Sequence, residues 1–176
     1  MKTIIVGHAW SVLAKKIAQL HDSTFTPLTV TQFADTETCI SLEQDAALFG
    51  SHVVLVYQLM RPTAKTSIND QIMGLFEPVD ALKTQGVKSI SLFLPYLAYG
   101  RQDVSVDKQH PGALFMFGRC LSALGVTQVI VCDMHAPASI PSFALPLHNV
   151  DGAHFWTTVI QDNLLKKIDP KNICIV

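Results

Sequence analysis

"SISLFLPYLAYGRQD", residues 89–103, is the stretch that decides the fold. Its first half is a short apolar run closed by Pro95, the length of a buried strand and too short for a helix of any size. Its second half puts Arg101, Gln102 and Asp103 directly behind that strand. A turn that merely reversed the chain would draw on Gly, Pro, Asn or Asp. A cation, an amide and a carboxylate at a strand's carboxyl end, followed by a further loop, mark the position where open α/β sheets bind their ligands.

Working outward, the same kind of run recurs. "TIIVG" (3–7), "HVVLVYQ" (52–58) and "QVIVCD" (128–133) are rich in Val and Ile and read as strands buried on both faces. "PLTVTQF" (27–33) and "TCISL" (38–42) are shorter strands on either side of the turn-like Ala34-Asp35-Thr36-Glu37. Between the strands lie amphipathic segments. Residues 10–20 carry Val12, Leu13, Ile17 and Leu20 near helical spacing, and residues 67–85 are helical with a kink or break expected at Pro78. Residues 113–124 form a helix ended by Gly125, and residues 153–167 one with lysines in its last turn. This alternation predicts an α/β domain with a mainly parallel central sheet of about five strands and helices on both faces.

Composition narrows the function. The 176 residues are 49% hydrophobic and 15% charged, with a formal net charge of -1. No basic field is present to attract nucleic acid or an acidic membrane surface. The longest apolar stretch, 92–99, falls far short of the roughly 20 residues a membrane helix needs. The N-terminal residues lack the pattern of a signal peptide. The four cysteines, Cys39, Cys120, Cys132 and Cys174, make no C-x-x-C pair and sit in apolar surroundings, as reduced, buried thiols of a cytoplasmic protein would. Residues 171–176, "KNICIV", read as the opening of another strand that leads into a further domain.

Three polar groups fall at strand carboxyl ends: Gln58, Arg101-Gln102-Asp103 and Asp133-Met134-His135. Asp133 and His135 suit either helix capping and loop hydrogen bonding, or a Mg²⁺-phosphate site in which Arg101 meets phosphate oxygens. Neither G-x-x-x-x-G-K-[ST] nor G-x-G-x-x-G occurs, so a nucleotide would be held by other means.

Taken in order, the fragments Phe33-Ala34-Asp35-Thr36-Glu37, Asn69-Asp70-Gln71-Ile72-Met73, Val79-Asp80-Ala81-Leu82, "PYLAYGRQD" (95–103), "CDMHA" (132–136) and "LPLHN" (145–149) resemble the N-terminal half of the ribose-phosphate pyrophosphokinase (phosphoribosyl pyrophosphate synthetase) family. The resemblance implies a phosphoribosyltransferase-like three-layer sandwich, with residues 1–170 as the ATP-side domain and 171–176 as the start of a strand toward a second domain. It implies diphosphoryl transfer from ATP to ribose 5-phosphate with Mg²⁺ as the cofactor, through positioning and charge neutralisation rather than a covalent nucleophile. Arg101 and Gln102 would contact the nucleotide. His135 would hold the ATP-bound Mg²⁺ or its water shell, with Asp133 close by. Phe33, Asp35 and Glu37 would bind the adenine of a neighbouring subunit, which implies a homo-oligomer; an aromatic face and carboxylates facing an exocyclic amine suit that role.

Departures from the family are also visible. Residues 104–112, "VSVDKQHPG", carry one basic residue, Lys108, where the family loop is rich in Lys and Arg. That loop should be mobile without nucleotide. Ala144 and His148 stand where the family has Asp, Thr36 replaces a turn Gly, Gly74 replaces Glu, and extra residues lie near 61–67. The family's ribose-5-phosphate loop is not found in these residues. The chain alone should therefore make no phosphoribosyl pyrophosphate. A non-catalytic regulatory or scaffolding relative is the alternative, and a phosphoribosyltransferase would need an acidic loop that is not found here.

Overall fold

The structure, a computed structural model, describes residues 3–35, 37–42, 46–59, 67–103, 112–164 and 166–172. Seven strands form one sheet in the order β3-β2-β1-β4-β5-β6-β7. They are β1 (Thr3–His8), β2 (Thr24–Gln32), β3 (Thr38–Leu42), β4 (His52–Val56), β5 (Ser89–Leu94), β6 (Val126–Cys132) and β7 (Leu147–Val150). Every neighbouring pair is parallel except β2 and β3, which form an antiparallel hairpin at one edge. The helices are α1 (Val12–Leu20), α2 (Ile68–Thr84), α3 (Ala113–Ala123) and α4 (Ala153–Val159).

The layers follow from which way each strand residue points. Ile4, Val6, Val53, Leu55, Ile90, Leu92, Val129 and Val131 pack with Leu75, Val79 and Leu82 of α2 and Leu114, Phe117 and Leu121 of α3. Ile5 and Val56 point to the other face and meet Ala14 and Ala18 of α1. The α2–α3 face of the sheet is buried, while the α1 face is covered only in part, with Val54 and Phe93 half-buried on it. This is the expected three-layer α/β sandwich. It has seven strands rather than about five, because an edge hairpin and β7 enlarge it. β7 is four residues with only Leu147 buried, too brief for a periodic signal.

Three helices depart from expectation, two of them for a packing reason. In α1, Val12 and Leu20 are 80% and 72% exposed, and Ala14 and Ala18 are the buried positions. Small residues are needed because the helix lies close on β1: a Cβ at Gly7 would stand 2.8 Å from that of Ala14. α2 starts at a capping box in which Ser67 and Asp70 satisfy each other's backbone N–H groups. It then runs through Pro78 as one element. An interior proline costs about 3 kcal/mol. Buried Ile72, Leu75, Val79 and Leu82 lie on both sides of it, each worth roughly 1.5–3 kcal/mol. α4 gives way after Val159 to a π-helical turn, Ile160–Leu164, short of the expected end at 167.

Among the described residues no helix is long and apolar enough to cross a membrane. Cys39 is exposed on β3, against expectation, because β3 is an edge strand, while Cys120 and Cys132 are partly buried. Of the strand expected over 171–176, Lys171 and Asn172 lie instead in a 3₁₀ turn, Pro170–Asn172; Thr36, the extra residues 61–66, the loop expected to be mobile at 104–112 apart from Gly112, Cys174 and residues 173–176 lie outside the described residues.

Candidate functional site

The site is built on the loops that leave β5 and β6. After β5 the chain turns through Tyr99, whose φ of 59° is left-handed. A side chain there costs of order 1–3 kcal/mol unless its surroundings fix it. They do. The Tyr99 hydroxyl donates to Asn69 Oδ1 on α2 at 2.7 Å, and the Tyr99 carbonyl accepts from the Gln102 N–H at 2.8 Å. The Gln102 carbonyl in turn accepts from the Leu114 N–H of α3. Gly112 permits this last contact, since a Cβ there would be 2.9 Å from the Gln102 carbonyl oxygen. Arg101 and Gln102 are left exposed at the crest of a fixed turn.

The loop after β6 is held in the same manner. Asp133 has φ 46°, its N–H donates to the Val150 carbonyl at 3.1 Å, and its Oδ1 accepts from the Gly152 N–H at 2.7 Å. Met134 N–H donates to Asn149 Oδ1 at 2.9 Å. A Cβ at Gly152 would stand 2.6 Å from Asp133 Oδ2, so the approach of β7's end to Asp133 requires glycine. Asp133 thus performs the loop hydrogen bonding that the sequence allowed as one reading, and the carboxylate stays exposed. Of the three described non-glycine residues with positive φ, two lie at this rim, which concentrates backbone strain where the polar groups are.

Arg101, Asp133 and His135 line one cavity of about 220 Å³ with Tyr96, Leu97, Gly100, Cys132 and Met134. Gln102 faces an adjoining concavity of about 410 Å³ with Ile68, Tyr96 and Tyr99, and Arg101 lines both. The arrangement offers a guanidinium for anionic oxygens beside one carboxylate and one imidazole. Among the described residues no group of three or more His, Cys, Asp or Glu side chains could hold a metal by itself; Asp133 offers hard oxygen and His135 an imidazole, a pair that suits only a cation bringing other ligands of its own. Burial, and secondarily the Asp133 carboxylate, push the Cys132 thiol above its ordinary range. It is therefore protonated at neutral pH.

The other residues singled out from sequence lie elsewhere. Phe33, Asp35 and Glu37 sit on the turn between β2 and β3, at one edge of the sheet, with β1 and β4 between that hairpin and β5. Phe33 is 59% exposed, so it is no core side chain. The turn is closed by the Phe33 N–H donating to the Glu37 carbonyl at 2.8 Å and the Glu37 N–H to Asp35 Oδ1 at 3.2 Å. Asp35 and Glu37 line a concavity of about 440 Å³ with Thr38, Asp70, Met73 and Glu77. Gln58 accepts from the Ser11 hydroxyl at 3.4 Å and lines a small cavity with His8, Val30, Thr38 and the first turns of α2, apart from Arg101. Neither Ala144 nor His148 lines the Arg101 cavity; His148 lies within β7, paired with Ile130. At Gly74 a side chain would meet the Tyr57 hydroxyl, 3.0 Å from where a Cβ would stand.

Sequence reasoning missed the residues that hold the site: Tyr99, Asn69, Gly112, Asn149 and Gly152. Gly112 and Gly152 each stand at a helix start, and their signal was legible only as punctuation.

Residues 2–125 match the family described as the N-terminal domain of ribose phosphate pyrophosphokinase. Among curated proteins, the chain is 32% identical over 174 residues to a ribose-phosphate pyrophosphokinase of Pasteurella multocida, covering 98% of this chain and 52% of that protein. It is 32% identical over 140 residues to that of Bacillus subtilis, covering 80% of this chain and 42% of that protein. The chain therefore spans about half the length of the curated relatives it matches. Among solved structures, the phosphoribosylpyrophosphate synthetase of Mycobacterium smegmatis superposes with a TM-score of 0.78 at 21% identity, over 93% of this chain and 53% of that one. The parallel sheet, the matched domain and these relatives agree, and the chain belongs to the ribose-phosphate pyrophosphokinase family, over its N-terminal domain.

Proposed function

We propose that this chain is the ATP-side half of a ribose-phosphate diphosphokinase. In the reaction, the anomeric hydroxyl oxygen of ribose 5-phosphate bonds to the β-phosphorus of ATP. The bond from that phosphorus to the oxygen bridging α and β breaks, AMP leaves with the electron pair, and the hydroxyl proton is released. Such a transfer depends on alignment and on neutralising the phosphate charge. Mg²⁺ bound with the nucleotide would supply part of that neutralisation.

The residues divide the work. Arg101 pairs with phosphate oxygens, and Gln102 contacts the nucleotide from the adjoining concavity. Asp133 and His135 orient the nucleotide's metal and water. Phe33 stacks on adenine while Asp35 and Glu37 accept from its exocyclic amine. The turn follows the edge hairpin β2–β3 and the rim follows the interior strands β5 and β6, and the two line separate concavities; a nucleotide shared between two copies, and hence a homo-oligomer, would bring them together. A cytoplasmic setting accords with the three described cysteines being free. The observation that carries this reading is Arg101 meeting Asp133 and His135 across one cavity at the carboxyl ends of adjacent parallel strands.

The test is to titrate the chain with Mg-ATP and to incubate it with Mg-ATP and ribose 5-phosphate. Binding that is lost in Arg101→Ala, with no AMP formed, is the expected result. Absence of binding would favour a non-catalytic, scaffolding relative. AMP formation that depends on Arg101 would show that this half acts alone and overturn the half-site reading.

A further inference from the structure

Among its described residues, the turn between β2 and β3 is closed by hydrogen bonds that link Phe33, Asp35 and Glu37. It leads directly into β3, which begins at Thr38. β3 is an edge strand, paired with β2 on one side only. In an antiparallel edge, alternate backbone N–H groups point away from the partner and need another acceptor. That acceptor comes from α2. Glu77 is partly buried; its Oε2 accepts from the Ile40 N–H at 3.0 Å and its Oε1 from the Thr38 hydroxyl at 2.7 Å. The carboxylate serves β3 in place of a missing neighbour strand.

Gly74 makes the contact possible. It lies one turn before Glu77 on α2, and a Cβ built there would stand 3.0 Å from the Tyr57 hydroxyl and 3.7 Å from Thr38 Oγ1. The helix is thus bare where β3 crosses it and bears a carboxylate three residues later. Glu77 shares a concavity with Asp35 and Glu37, but each of its oxygens is engaged by β3.

We infer that Glu77 is a positioning residue: by clasping Thr38 and Ile40 it aims Phe33, Asp35 and Glu37, and it acts on adenine recognition without touching the base. The inference rests on the proposed reading of that turn as the adenine side of an ATP site. It predicts an effect specific to the base, whereas general loosening of the fold would affect every ligand.

The experiment titrates the full chain with Mg-ATP and with Mg-tripolyphosphate, which has no base, and follows hydrogen exchange of residues 37–42. Glu77→Ala is expected to speed exchange there and weaken Mg-ATP about tenfold, the equivalent of one or two lost hydrogen bonds, while leaving Mg-tripolyphosphate unchanged. Glu77→Gln keeps one acceptor for the Ile40 N–H and should stay within about threefold of the original. Arg101→Ala should weaken both ligands. Where Glu77→Ala unfolds, Thr38→Val removes one of the two bonds and is expected to weaken Mg-ATP about threefold. Unchanged Mg-ATP affinity, or equal weakening of both ligands, in the Glu77 or Thr38 variant would overturn the positioning role while the Arg101 result upholds the site. An original chain that binds neither ligand, or an Arg101→Ala chain that binds both as before, overturns the ATP reading and this inference with it.

Discussion

The rim at the ends of β5 and β6 and the turn between β2 and β3 achieve rigidity in opposite ways. The rim sits on central parallel strands, and its backbone is forced into left-handed conformations at Tyr99 and Asp133 by contacts from α2, α3 and β7. The turn sits on an edge hairpin with ordinary hydrogen bonds of its own, and one carboxylate from α2 ties it down. Charge chemistry is placed where the scaffold over-determines the backbone. The aromatic and acidic groups are placed where the chain projects, with Phe33 exposed. A group that must meet developing charge tolerates little displacement. On the proposed reading, Phe33 must instead be accessible to a nucleotide shared with a second copy.

The largest effects should separate the two regions by ligand. Arg101→Ala is expected to cost Mg-ATP affinity one to two orders of magnitude, as loss of charge-assisted hydrogen bonds of about 1.5–3 kcal/mol implies. Phe33→Ala should cost about 1–3 kcal/mol by loss of base stacking. Calorimetric titration of each variant, and then of a 1:1 mixture, tests whether the regions serve one nucleotide across copies. In a mixed assembly about a quarter of the turn–rim pairs would join two intact partners, so binding should partly return. A mixture no better than its components would separate the turn from the rim's ligand.

Stability should differ next. Gly152→Val drives a side chain into the Asp133 carboxylate, and overpacking of this kind costs about 1–3 kcal/mol, or roughly 2–12 °C in Tm. Ala34→Val, on the exposed turn, should leave Tm within about 1–2 °C. Equal losses in differential scanning calorimetry would erase the contrast in rigidity. A finer measure is Tyr99→Phe, which removes the bond to Asn69 and should lower stability by about 0.5–1.5 kcal/mol in a denaturant titration.

The smallest effect concerns Cys132. Its raised pKa means that the folded chain holds this proton more tightly than the unfolded one. The thiol contributes stability below the ordinary thiol range and loses that contribution as pH rises through the raised value. Iodoacetamide labelling followed by mass spectrometry should show Cys132 reacting only at more alkaline pH than a model thiol peptide.

Much of this was legible in the chain itself. The apolar runs at 3–7, 52–58, 89–95 and 128–133 announced parallel strands because such strands carry apolar residues on both faces. The rim residues could be read because Arg101, Asp133 and His135 follow those runs directly. What escaped was set by distance. The burial of Ala14 and Ala18 in place of Val12 and Leu20 depends on how near α1 lies to Gly7, and the continuity of α2 through Pro78 depends on the core around it. The bonds from Glu77 to β3 join residues nearly forty positions apart, and no local pattern encodes them.

The strand order carries a consequence for biosynthesis. β1, the first of these seven strands in chain order, lies inside the sheet, with β2 and β3 following on one side and β4, β5, β6 and β7 in succession on the other. Each strand that leaves the ribosome therefore finds its neighbour already made, and none has to insert between two that are paired. Synthesis proceeds at about 5–20 residues per second, slow against the pairing of a strand with an edge already in place. The sheet can grow as it is translated, with a single advancing edge on the side of β4 to β7, and the loops that hold Arg101 and then His135 are laid down only after the strands beneath them are in register.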